Sequence, residues 1–129
     1  MRQKSVEVKG LEHNAPIPMA CRIGPILATS GIGGKDPASG KLPPEPERQA
    51  FHCFDNLKRV LAAGGLDLGD VVKLTVFVVD ESHRDAINKY WNECYPDAHQ
   101  RPARHTLVAP LRGGQLMQLE ALAVSKDLE

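Results

Sequence analysis

Residues 71–79 read VVKLTVFVV. The run is rich in β-branched side chains, and apart from Lys73 neither alternating set of positions is charged, as expected of a strand in mid-sheet that is covered on at least one face. Working outward, Ala50, Cys53, Phe54, Leu57 and Leu61 recur at three- and four-residue steps between Glu47 and Ala63, and Gly64-Gly65 follows. That spacing predicts an amphipathic helix with a glycine stop. On the other side, Ala86, Ile87, Tyr90, Trp91 and Cys94 form a second apolar stripe ending before Pro96, with Ser82 and Asp85 as its capping-box-like start. Met19–Ile23 and Pro25–Ser30 flank Gly24 as a hairpin, Val6–Val8 offers an earlier strand, and 104–108 and 117–124 supply two closing strands. The order ββ(β)αβαββ predicts an α+β fold with both helices on one face of the sheet, in one domain spanning 1–129.

Composition narrows the function classes. Sixteen basic residues balance sixteen acidic ones, so no summed field draws the chain to nucleic acid or an anionic membrane. The six aromatic residues are not interleaved with basic ones, which leaves no stacking platform for single-stranded RNA. No apolar run approaches a membrane span, and MRQKSVEVKG at the N-terminus lacks a signal-peptide core, so the expectation is a soluble cytoplasmic protein. Cys21, Cys53 and Cys94 form no CxxC pair and read as reduced thiols packed as small hydrophobes. The five histidines show no metal-ligand spacing, and neither a metal nor an organic cofactor is expected. GIGGKD, at 31–36, lacks the spacing of a phosphate loop; with DPASGKLPPEPE it reads as a mobile surface excursion.

RIGPILATSG (22–31), DPASGKL from Asp36, DVVKLTVFVVD (70–80), RPAR from Arg101 and LEALAV from Leu119 occur in the order in which similar segments occur in the RidA/YjgF family of imine and enamine deaminases. The chain resembles that family over nearly its whole length. The resemblance implies a chorismate-mutase-like mixed sheet, a homotrimer around a central barrel, and ligand clefts between neighbouring subunits. It also implies that Arg104, the arginine of the PAR motif, pairs with the carboxylate of a small substrate, for which a planar fork of donors suits better than a lysine. Gly31 matches the glycine whose backbone contributes to the pocket. Thr106 shares the strand face of Arg104 by period-two geometry and so is a lining candidate, whereas His105 points the other way. Arg101 and Arg112 match no motif and read as solvated.

The chain departs from the family pattern at two places. Ile17, in NAPIPMA, stands where typical enamine hydrolases carry a tyrosine, and Gln118 stands where they carry a glutamate that positions water. An amide oxygen accepts a hydrogen bond from water but cannot take its proton. His13, close to Ile17 in sequence, is the candidate for proton transfer. These changes point to hydrolytic deamination of a small carboxylate-bearing enamine or imine, 2-aminoacrylate-like or larger, such as 2-aminomuconate. The other class is a non-catalytic trimeric module binding a small carboxylate metabolite.

Overall fold

The computed structural model describes residues 1–127. Strands β1 (Lys4–Val6), β2 (Ala20–Ile23) and β3 (Ile26–Thr29) are followed by helix α1 (Pro46–Ala63), strand β4 (Val71–Val78), helix α2 (Arg84–Cys94) and strands β5 (Ala103–Val108) and β6 (Met117–Val124). They form one six-stranded sheet in the order β1-β2-β3-β6-β4-β5. The stretch that decides the fold is therefore interior, with antiparallel β6 on one side and parallel β5, the edge strand, on the other. Each parallel step needs a crossover, and the helices supply them: α2 connects β4 to β5, and α1 connects β3 to β4, between which β6 is inserted.

Alternation along β4 and β6 sorts the sheet into two faces. Leu74, Val76 and Val78 of β4 pair with Ala121, Leu119 and Met117 of β6, and all six are buried against the helices. Ala50, Cys53, Phe54, Leu57 and Leu61 of α1, with Ile87 and Trp91 of α2, complete that core, as their helical spacing requires. Among the described residues no helix covers the opposite face. Ile26, Leu107, Leu122 and Val124 stand exposed there beside half-buried Phe77.

Three expectations need correction. The first strand lies at 4–6, before Val8. The start of α2 is not a Ser82–Asp85 box: Asp80 accepts from the Ser82 N–H at 2.8 Å and opens a 3-10 turn, Glu81–His83, ahead of the helix. The extended backbone at Asp80 is the conformation a capping carboxylate needs, so the cap falls two residues earlier. The Gly31–Glu47 stretch is a surface excursion only in part: 38–41 are exposed, but its first residues are built into the molecule. Ile32 is fully buried and bridges Leu119 in the sheet, and buried Asn56 donates to the carbonyls of Gly33 (3.0 Å) and Lys35 (2.8 Å). The hairpin at Gly24 holds, with Ile23 paired to Ile26; its first turn residue sits at φ 56°, which glycine adopts without steric cost.

Candidate functional site

Gly31 leaves β3 and passes directly against β6. A Cβ on Gly31 would lie 2.6–2.8 Å from all three terminal atoms of Gln118, so only a glycine lets the amide lie flat on the backbone. The Gln118 Nε2 donates to Gln115 Oε1 at 3.3 Å, and Gln115 Nε2 donates in turn to the Arg112 carbonyl at 3.1 Å. This chain of amides fixes Gln118 and leaves its own oxygen as an acceptor. Gly31, Gln115 and Gln118 line a cleft of about 410 Å³ together with His13, Asn56 and Arg112. Two buried polar atoms of the lining, His13 Nε2 and Asn56 Oδ1, have no hydrogen-bond partner among the described residues. Glu12 also lines the cleft; backbone N–H groups, its own and that of Gly10 at 2.7 Å, hold its carboxyl below the usual carboxylate range. The described residues contain no group of three or more His, Cys, Asp or Glu able to hold a metal ion.

Arg104 belongs to a different surface. On β5 it pairs with Leu74 and Thr106 with Val76, so both face the helix side at the sheet edge, whereas Gln118 pairs with Phe77 on the open side. The guanidinium carbon of Arg104 lies 5.1 Å from the centre of the Trp91 ring, and its Nε donates to Thr106 Oγ1 at 2.9 Å. Burial, helped by the like charge of Arg84, lowers its pKa from the ordinary arginine value. Among the described residues no carboxylate pairs with it. It is a half-buried cation held by a hydroxyl and an aromatic face, with its terminal N–H fork unspent.

The profile of the family described as Endoribonuclease L-PSP matches residues 9–125. The chain belongs to this family. Relatives in it carry deaminase names: the 2-iminobutanoate/2-iminopropanoate deaminase of Escherichia coli K12 is 33% identical over 106 residues, covering 81% of this chain and 83% of its own. The crystal structure of E. coli TdcF with bound serine matches at a TM-score of 0.86 with 29% identity, covering 95% of this chain and 99% of that one. The YjgF gene product of E. coli matches at 0.84 with 30% identity over 94% and 98%. The RidA/YjgF resemblance of the sequence and its mixed α+β sheet are therefore the family's own.

Within this RidA-type frame the residues singled out from sequence fall into groups. Gly31, Gln118 and His13 share one cleft; Arg104 and Thr106 share the β5 edge. Ile17 joins neither: it is exposed in an adjoining depression that also includes His13. Arg101 is not simply solvated, since its Nε donates to the Tyr95 carbonyl at 2.9 Å and its terminal nitrogen to Asn92. Reading the sequence passed over Trp91 as anything but core, and missed Asn56, Gln115 and Arg112 as cleft lining. A polar residue such as Asn56 on the apolar stripe of α1 was the available signal, because a buried amide must find partners.

Proposed function

We propose that the chain is a hydrolytic imine/enamine deaminase acting on a small carboxylate-bearing substrate, with Arg104 as the carboxylate receptor. The observation that carries this is the state of Arg104: a partly desolvated cation without a countercharge, oriented by Thr106 and Trp91. Such a group awaits an anion, and a planar carboxylate matches its free fork bidentately. The names of the relatives agree with the activity.

The Arg104 edge and the Gln118 cleft lie on opposite faces of one sheet, so one copy cannot close a single site from both. The reading therefore includes a second copy of this chain, in a homotrimer, with Arg104 of one subunit facing the Gly31–Gln118 cleft of the next. The exposed apolar side chains of the open face give that assembly its driving force. In the reaction an enamine tautomerises to the imine and water adds to the imine carbon, forming the C–O bond. The carbinolamine then collapses with C–N cleavage, a carbonyl acid and ammonia leave, and one water is consumed. Gln118 orients the water through its amide oxygen but takes no proton, and the unpartnered Nε2 of His13 in the same cleft shuttles the proton to the leaving nitrogen. The reading places this single-domain protein in the cytoplasm, without a role for nucleic acid or membrane; among the described residues no helix is long and apolar enough to span a bilayer.

The replacement of a carboxylate by Gln118 favours a second reading, a trimeric module that binds a small carboxylate metabolite without turnover. Incubation with enzymatically generated 2-aminoacrylate and with 2-aminomuconate, following ammonia beside an Arg104→Ala control, separates the two. Arg104-dependent ammonia release is the expected result; none from either substrate, with carboxylate binding retained, would replace the enzyme by the binder.

A further inference from the structure

Arg112 matched no motif, yet the structure sets it at the mouth of the cleft that holds Gly31, Gln118 and His13. The turn that carries it is braced rather than loose. Gly113 and Gly114 take φ of 66° and 80°, a left-handed pair that side-chain-bearing residues rarely adopt, and the Gln115 N–H closes on the Arg112 carbonyl at 3.2 Å. Fully buried Gln49 of α1 then fastens the turn from below: its Nε2 donates to the Gly114 carbonyl at 3.2 Å and to Pro43 at 2.8 Å, and its Oε1 accepts the Leu116 N–H at 2.9 Å. Among the described residues the Arg112 guanidinium makes no ion pair and no hydrogen bond. Lys35 lines the same cleft and adds a second cation, against the single carboxylate of Glu12, which two backbone N–H groups already engage.

A cation on a fixed turn, beside an amide already tied to that turn, is placed to read the far end of whatever Gln118 touches. We propose that Arg112 is a second anion anchor, so that the preferred substrates are 2-imino or 2-enamino acids bearing a second carboxylate. This rests on the deaminase reading above: Arg104 takes the carboxylate next to the reacting carbon, and Arg112, with Lys35 beside it, takes the distal one. A monocarboxylic imine leaves Arg112 solvated and gains nothing from it.

The test compares 2-iminobutanoate with 2-iminoglutarate, each generated in situ by an amino-acid oxidase, with ammonia release giving kcat/KM. Wild type should favour the dicarboxylic imine by about fivefold, and Arg112→Gln should bring the ratio near unity while Arg112→Lys retains part of it, as expected for a rim-exposed charge contact. A ratio unchanged in Arg112→Gln overturns the anchor while leaving the deaminase intact. Should neither imine be turned over, the deaminase reading rests on the 2-aminoacrylate and 2-aminomuconate assay alone, and calorimetry with 2-oxoglutarate still decides the anchor. Binding weakened about fivefold or more in Arg112→Gln supports it; equal binding overturns it.

Discussion

The two polar surfaces of this molecule are built in opposite ways. The cleft around Gly31 and Gln118 is a concavity rich in amides and glycines, with His13, Glu12, Lys35 and Arg112 also in its lining, and its shape is maintained by hydrogen bonds that reach down to buried Gln49 and Asn56. The Arg104 edge is a charge on a strand, positioned by one hydroxyl and one indole ring and otherwise open. The cleft has an enclosure whose cations, exposed Arg112 and half-buried Lys35, sit among its lining; the edge has a half-buried, oriented cation without an enclosure. Each supplies what the other lacks, and the sheet separates them, so a site that uses both needs two copies.

That contrast can be broken at several points. Arg104→Ala should cost the largest amount, roughly 3 kcal/mol or about a hundredfold in kcat/KM, because a buried charge contact to substrate is lost. Its thermal midpoint should stay within a degree or two of wild type, since the arginine is partly desolvated and satisfies no buried acid; a large drop in stability would recast Arg104 as structural. Gln49→Leu should behave in the reverse sense. It leaves the Leu116 N–H and the Gly114 and Pro43 carbonyls without their partner, so stability should fall by about 2–3 kcal/mol in denaturant unfolding, with activity failing in step.

Gly31→Ala is smaller and more local. The added methyl group meets the flexible end of Gln118, which can swing away, so stability should change by less than about 1 kcal/mol while kcat/KM drops about tenfold through loss of the oriented amide. An unchanged rate would remove Gln118 from the mechanism. The smallest effect is expected for Gln118→Glu, which restores a group able to accept a proton. A rise of about two- to fivefold, with a new acidic limb as the carboxylate protonates in the region of an ordinary glutamate near pH 4, would sharpen the division of labour between Gln118 and His13.

Much of the scaffold was readable in advance. VVKLTVFVV announced an interior strand because β-branched residues without alternation have few other places to go, and the stripes at 50–61 and 86–94 announced helices on one face. The 31–35 end of the Gly31–Glu47 stretch was misread because Gly and Pro content signals irregular backbone, not exposure, and irregular backbone is buried when a side chain such as Asn56 satisfies its carbonyls. Of the candidate site residues, Arg104, Gly31 and Gln118 were singled out through motifs and Thr106 through strand periodicity, but their division between two faces was not foreseen. That division follows from the pairing of β4 with both β5 and β6, which brings together residues far apart in sequence. Arg112 was invisible for a related reason: its place beside Gln118 depends on Gln49, more than sixty residues upstream.

The central claim, one site from two copies, is tested most directly by complementation. Arg104→Ala and Gly31→Leu, each inactive alone, would be co-refolded in equal amounts and assayed for ammonia release against either protein refolded separately. If each site takes Arg104 from one subunit and the cleft from the next, random mixing in a closed ring of three returns about a quarter of wild-type activity, because every mixed trimer holds one intact site. No recovery, from a mixture shown to contain mixed assemblies, would contradict the account.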